Sequence, residues 1–287
     1  MRKNLLDLSG KIDSIKLGAI ETIANVADSH SVPFFIIGAA ARDLILTNGY
    51  NIKTTRATLD IDFGVRIPNW AQYKKFKQGL VATSEFAETK EIQRLKYRNS
   101  LLIDLIPFGP IADRENTIRW PPEQEIVMHV LGFEGSFRHS QTVRLRSNPI
   151  LEVKIVTLAG LAVMKIISWK DGYPERDRDA SDLALIIRSY TDAGNVERIF
   201  DMESDLLESE DFDYVSVGAR LLGRDIAVIL TFDTKKVVLE ILNKETGKQD
   251  RYRLVEDMMR SDIALTNDFR NILGLLEEMK RGILERL

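Results

Sequence analysis

The sequence has no cysteine in its 287 residues, which excludes disulfides and thiolate metal sites. Three histidines are too few for a histidine-rich metal cluster. Any metal is therefore expected to be a hard cation held by oxygen, such as magnesium. No apolar run approaches the roughly 18 residues that suggest a membrane span. The opening Met1-Arg2-Lys3-Asn4 lacks the apolar core of a signal peptide. The protein is accordingly expected to be cytoplasmic, without a membrane partner. Positive charge is not in excess either: 40 Lys and Arg stand against 43 Asp and Glu, a net charge of -3. Overall charge therefore does not draw this chain to nucleic acid, and any basic contact surface has to be local. Internal repeats and low-complexity segments are absent, as are the G-x-G-x-x-G and Walker phosphate-binding patterns.

Two stretches organise what is present. In the first, the apolar run Phe34-Phe35-Ile36-Ile37 breaks at Gly38 and restarts as Ala39-Ala40-Ala41-Arg42-Asp43-Leu44-Ile45-Leu46. The run suits a central strand covered on both faces, and the restart favours a helix. A tight strand-glycine-helix turn leaves backbone N–H groups free at the helix start, where they and the helix dipole suit a phosphate. Read alone, the same pattern is also an ordinary strand-to-helix turn. In the second stretch, Leu59, Ile61 and Phe63 alternate with Asp60, Asp62 and Gly64. Alternate side chains of a strand share a face, so Asp60 and Asp62 project together away from the core. Two adjacent carboxylates repel, and a divalent cation turns that repulsion into coordination. The competing reading is a solvated strand face.

A third carboxylate, Asp104, interrupts the apolar run 101–106. A buried carboxylate needs a partner. That partner is either one of the nearby arginines, in a structural salt bridge, or the cation suspected at Asp60 and Asp62. With the aspartate pair present, the cation is the expected partner. Lys165 lies in an otherwise apolar helical stretch, where it either snorkels to solvent or pairs with phosphate. Asp179 stands at the start of the next helix and suits a capping role there, with an active-site role as the competitor. Arg138, His139, Arg144 and Arg146, with Phe137, read either as a small basic patch for nucleic acid or as a solvated hairpin.

Apolar spacing predicts helices over 12–27 and 68–91, a loop over 47–54, and strands over 94–97 and 100–106, with a turn from Pro107 onward. Irregular short strands are expected over 111–148, then a helix over 157–169. Beyond residue 195 the pattern is helical at 196–207, 214–222, 237–242, 251–259 and 268–284. This places an α/β front at 1–154 and an all-helical back at 155–287, with no long linker between them and a shared cleft expected.

Gly38-Ala39, Asp60-x-Asp62 and the distant Asp104 form an ordered set. That set resembles the minimal nucleotidyltransferase fold, whose usual pattern is Gly-Ser before a helix, then Asp-x-Asp, then a later Asp. Arg56-Ala57-Thr58-Leu59-Asp60-Ile61-Asp62, Lys165 and Arg178-Asp179-Ala180-Ser181-Asp182-Leu183 are similar to elements of its AbiEii/AbiGii toxin branch. The resemblance runs from about Phe34 to Leu185. It departs from the family at Ala39, where the usual serine hydroxyl is missing.

The resemblance implies a mixed-sheet nucleotidyltransferase domain followed by a helical domain that completes the nucleotide cleft. It also implies magnesium-dependent transfer of a nucleotidyl group from a nucleoside triphosphate. Asp60, Asp62 and Asp104 would hold two ions, with Asp104 beside the acceptor. Gly38, Ala39, Arg42 and Lys165 would bind phosphate, and Asp179 would position Lys165 or the base and sugar. The acceptor implied is RNA, transfer RNA in particular, or a protein, and the implied partner is an antitoxin. A small-molecule acceptor of the antibiotic type, and a non-catalytic nucleotide- or RNA-binding module of the same fold, are the alternatives.

Overall fold

The computed structural model describes residues 5–54, 58–122, 125–208, 213–249, 251–260 and 269–287. The chain divides into two compact units, Met1–Asn51 with Arg56–Thr157, and Ile52–Thr55 with Leu158–Leu287. Arg56 and Ala57 of the expected strand motif lie outside the described residues, as does Asp268.

The first unit contains, in order, β1 (Leu6–Asp7), α1 (Ser14–Ser29), β2 (Phe34–Ile37), α2 (Gly38–Asp43), a wide π-helical turn at Leu44–Gly49, and β3 (Asp60–Arg66). It continues through α3 (Trp70–Ala82), β4 (Phe86–Glu88), β5 (Arg94–Tyr97), β6 (Leu101–Phe108), β7 (Thr117–Arg119) and β8 (Val127–His129). It closes with α4 (Phe133–Arg138), β9 (Gln141–Ser147) and β10 (Ile150–Ile155). The last strand carries the unit past residue 154, where the sequence pattern put its end. Eight strands form one mixed sheet in the order β1-β9-β10-β2-β3-β6-β5-β4, and β7 pairs with β8 apart from it.

Local chemistry explains these elements. Asp13 caps α1 by accepting from the Lys16 backbone N–H at 2.9 Å. The helix buries Ala19, Ile20, Ile23, Val26 and Ala27. The apolar β2 lies between β10 and β3 with Phe35, Ile36 and Ile37 buried, each contributing about 1.5–3 kcal/mol. In β3 and β6, the fully buried Ile61, Phe63, Ile103 and Leu105 take one face. The pleat therefore turns Asp60, Asp62 and Asp104 to the other.

Three expectations are corrected. The helix expected over 68–91 stops at Ala82, because Ser84 takes a left-handed φ of 62° and Phe86 turns into a strand opposite Tyr97. The loop expected from Thr47 begins later, because the buried Leu44, Ile45 and Leu46 carry the helical turn to Gly49. Pro107 and Phe108 extend β6 alongside Val65 and Arg66, and the chain turns at Gly109.

The second unit is helical: α5 (Leu158–Asp171), α6 (Asp177–Ser189), α7 (Val196–Met202), a 3-10 turn at Ser204–Leu207, and α8 (Tyr214–Ile229). It ends with α9 (Phe232–Thr246), α10 (Arg253–Arg260) and α11 (Phe269–Glu285). Helices α8 and α11 cross closely enough that Gly223 faces the Met279 carbonyl and Gly282 the Arg220 carbonyl. Arg224, buried, is held there by Glu203, Asp205 and Glu285. The architecture is thus an α+β mixed-sheet domain followed by an all-helical one, as the sequence indicated. Among the described residues no helix is long and apolar enough to cross a membrane.

Candidate active site

Sheet register assembles the site. In the antiparallel pairing of β2 with β3, Ile37 lies opposite Asp62. In the parallel pairing of β3 with β6, Asp62 lies opposite Asp104. In the antiparallel pairing of β6 with β5, Asp104 lies opposite Arg94. Residues opposite one another share a face. A polar row therefore crosses three strands, Asp62, Asp104 and Arg94, with Asp60 two residues before Asp62 on the same face.

Asp60, Asp62 and Asp104 each offer a carboxylate oxygen, and these oxygens lie within 4.8 Å of one another. Like charges at this spacing repel by about 3 kcal/mol per pair at an effective dielectric near 20, less where water screens them. Asp104 is buried, while Asp60 and Asp62 are partly open to solvent. An all-carboxylate donor set with an open side is the chemistry that magnesium takes.

Arg94 meets part of that charge. Its Nε donates to Asp104 Oδ1 at 2.8 Å and its Nη2 to Oδ2 at 2.7 Å, a bidentate fork. The same Nη2 lies 3.7 Å from Asp60 Oδ2. The hydrogen bonds to Asp104, followed by the charges of Asp104, Asp60 and Glu91, hold the Arg94 pKa above its ordinary value against the effect of burial. The arginine partner considered for Asp104 is therefore present together with the clustered aspartates. A carboxylate has about four lone-pair sites and the fork uses two, so Asp104 keeps acceptor capacity on the side facing Asp60 and Asp62.

Gly38 begins α2 at a φ of +70°. A Cβ there would lie 2.9 Å from the Asp62 Cγ and still closer to Oδ2. The turn expected to cradle phosphate therefore abuts the carboxylate row. Ala39 follows in the first turn of α2 and presents no hydroxyl.

Arg42, expected to meet phosphate, is buried and paired with a carboxylate. Its side chain is 2% exposed, and Nε and Nη2 both donate to Asp43 Oδ1, at 2.8 and 2.6 Å. Thr58 donates to the other Asp43 oxygen at 2.8 Å. A guanidinium buried this way stays with its carboxylate, because separating them leaves an uncompensated charge.

Lys165 and Asp179 belong to the helical unit and are bonded to each other. The Lys165 ammonium lies 2.6 Å from Asp179 Oδ1 and 2.6 Å from Asp182 Oδ2. Arg176 Nε donates to the second oxygen of Asp179 at 2.6 Å. Burial alone would lower the Lys165 pKa, but the two carboxylates outweigh it and raise the value. Burial would likewise raise Asp179, and Lys165 with Arg176 bring it below its usual range. The helix boundary falls at Arg176, so Asp179 sits inside the first turn and reaches the lysine instead of capping. With its side chain 11% exposed between these two carboxylates, Lys165 does not snorkel to solvent.

The arginine-rich stretch resolves into pairs: Arg138 with Glu134, Arg144 with Glu152 and Arg146 with Glu21. Phe137 packs edge-on against Phe35 and Phe108. This is the hairpin reading, not a free basic patch. A lone arginine at a strand start carries no sequence pattern that singles Arg94 out among the nearby arginines. The signal that finds it is the hairpin register to Asp104.

No protein-family model and no curated protein matches the sequence. Among solved structures, the chain is similar to the antibiotic-resistance factor ANT(2'')-Ia at 15% identity, over 69% of this chain and 97% of that one, with a TM-score of 0.38. It is similar to a CCA-adding enzyme in complex with ATP at 15% identity, over 91% and 67%, with a TM-score of 0.36. A Thermotoga maritima CCA-adding enzyme complexed with tRNA matches at 12% identity, over 97% and 83%, with a TM-score of 0.27. At TM-scores this low the likeness carries no weight for function, and the reading of the site rests on its own residues.

Proposed function

We propose that the chain is a magnesium-dependent nucleotidyltransferase. It moves a nucleoside monophosphate from a triphosphate to an acceptor hydroxyl, in the manner of the AbiEii/AbiGii toxins. The observation that carries this reading is the convergence of Asp60, Asp62 and Asp104 on one sheet face, against the turn at Gly38. Magnesium bound there would stabilise the charge on the attacking and leaving oxygens. Asp60, Asp62 and Asp104 would hold the cations, with Asp104 on the ion beside the acceptor, where it would assist removal of the acceptor proton. The acceptor oxygen bonds to the α-phosphorus, the bond to the β-phosphate oxygen breaks, and pyrophosphate leaves. Backbone N–H groups after Gly38 would face the phosphates. Arg42, Lys165 and Asp179 are each engaged in an ion pair of their own.

The acceptor we propose is RNA, transfer RNA foremost, with a protein or an antibiotic-type small molecule as the alternatives. A separately encoded antitoxin belongs to the same toxin-like reading. The test is incubation with each α-labelled triphosphate, magnesium and total RNA, beside Asp60→Ala. Label in RNA that is lost in the variant supports the proposal, and equal transfer by the variant refutes the site.

One observation favours a second reading. Arg94 on Asp104, with Ala39 in place of serine, suits a non-catalytic nucleotide-binding module. Magnesium-dependent triphosphate binding without incorporation into any acceptor would select it.

A further inference from the structure

Among the described residues, the cations Arg42, Lys165 and Arg224 are closed inside ion pairs. The side chains of Arg42, Lys165 and Arg224 are 2%, 11% and 7% exposed. Arg94 differs, because its side chain is 26% exposed and its partners are the carboxylates of the candidate cation site. Three carboxylates and one guanidinium leave that cluster at a formal charge of −2, the charge one divalent cation neutralises. Asp62 and Asp104 lie directly opposite each other on neighbouring strands, and like charges so placed destabilise a sheet.

We propose that Arg94 is the internal counter-ion of the site. It holds Asp104 in place while no cation is bound and competes with the cation for that carboxylate, so that it sets the affinity for the metal. The inference rests on the proposed reading of Asp60, Asp62 and Asp104 as metal ligands. Arg94 is a positioning residue, acting through Asp104. As a cation enters, the fork to Asp104 loosens, and the guanidinium has Glu91 within electrostatic reach. Part of the cation's binding energy goes into displacing the arginine.

The test is Mn2+ titration of the full chain, followed by electron paramagnetic resonance, for the native protein, Arg94→Gln, Arg94→Lys and Asp62→Asn. Arg94→Gln removes the charge and keeps a donor to Asp104, and it should bind Mn2+ on the order of tenfold more tightly. Arg94→Lys keeps the charge and should stay within about threefold of the native affinity. Equal or weaker binding by Arg94→Gln overturns the proposal and leaves a plain structural salt bridge. If Asp62→Asn removes binding in that case, the metal reading itself stands. Binding that survives Asp62→Asn, or no binding by any of the four proteins, overturns both. A readout on the native chain covers a variant that fails to fold. The Arg94 Nε–H resonance should shift as Mg2+ is added, and an unmoved resonance at saturation overturns the competition.

Discussion

Gly38 and Asp62 are packed so closely that neither tolerates a larger neighbour. Gly38 holds a φ of +70°, and the space where its Cβ would stand is filled by the Asp62 carboxylate. One backbone position thereby serves two ends. It turns the chain from β2 into α2, and it leaves room for a carboxylate facing that turn.

Gly38→Ala should therefore be costly twice over. The left-handed backbone costs about 1–2 kcal/mol for a residue with a Cβ, and the methyl group must displace Asp62. The expected result is a melting temperature lowered by several degrees, with Mn2+ affinity reduced at least tenfold. Thermal denaturation and Mn2+ titration measure the two effects separately. An unchanged cation affinity in a folded variant would detach the turn from the carboxylate row.

Asp60→Asn should leave stability nearly unchanged and remove cation binding. It removes repulsion toward Asp62 and Asp104, and it also removes the weaker of Arg94's two contacts, at 3.7 Å. Stability without divalent cation should change by less than about 1 kcal/mol. The rise in melting temperature with Mg2+ that a bound ligand confers on the native chain should disappear. Thermal melts with and without Mg2+ test this, and a persisting rise would place the cation elsewhere.

Lys165→Met leaves Asp179 and Asp182 in a buried place without their ammonium. Loss of one partner from such a cluster costs about 3–5 kcal/mol, measurable by urea denaturation. The pH dependence follows from the two shifts. Asp179 has a lowered folded pKa. Its contribution is present above the unfolded carboxylate value, near 4, and is lost as pH falls through the folded value. Lys165 has a raised folded pKa. Its contribution is complete below the unfolded lysine value, near 10.4, and is lost as pH rises through the folded value. Stability should be flat across neutral pH and fall at both extremes. Lys165→Met should abolish the alkaline loss that Lys165 contributes. A melting profile identical in shape to that of the native chain would refute the role of this cluster.

Much of this protein follows from local pattern. Alternation in β3 put Asp60 and Asp62 on one face before any partner strand was known, because side chains of a strand alternate wherever it pairs. The apolar run and Gly38 marked the β2–α2 turn. The long amphipathic stretches after residue 195 marked a helical unit, because a 3.6-residue period is a property of the chain alone.

What the sequence left undecided was register, which depends on how distant strands meet. Strands β5 and β6 were expected around Arg98-Asn99. A two-residue loop at those positions would oppose Arg94 to Ile103 and send it to the apolar face. The chain instead closes with Arg98 and Asn99 at φ of 43° and 54° and Ser100 donating to the Tyr97 carbonyl, so that Tyr97 pairs with Leu101. That single added residue moves Arg94 opposite Asp104, since a one-residue slip reverses every side chain. Residue types and their spacing determined that carboxylates would gather on β3. Only tertiary pairing, a contest among whole strands seeking to bury their apolar faces, decided that Asp104 would join them and that an arginine would come with it.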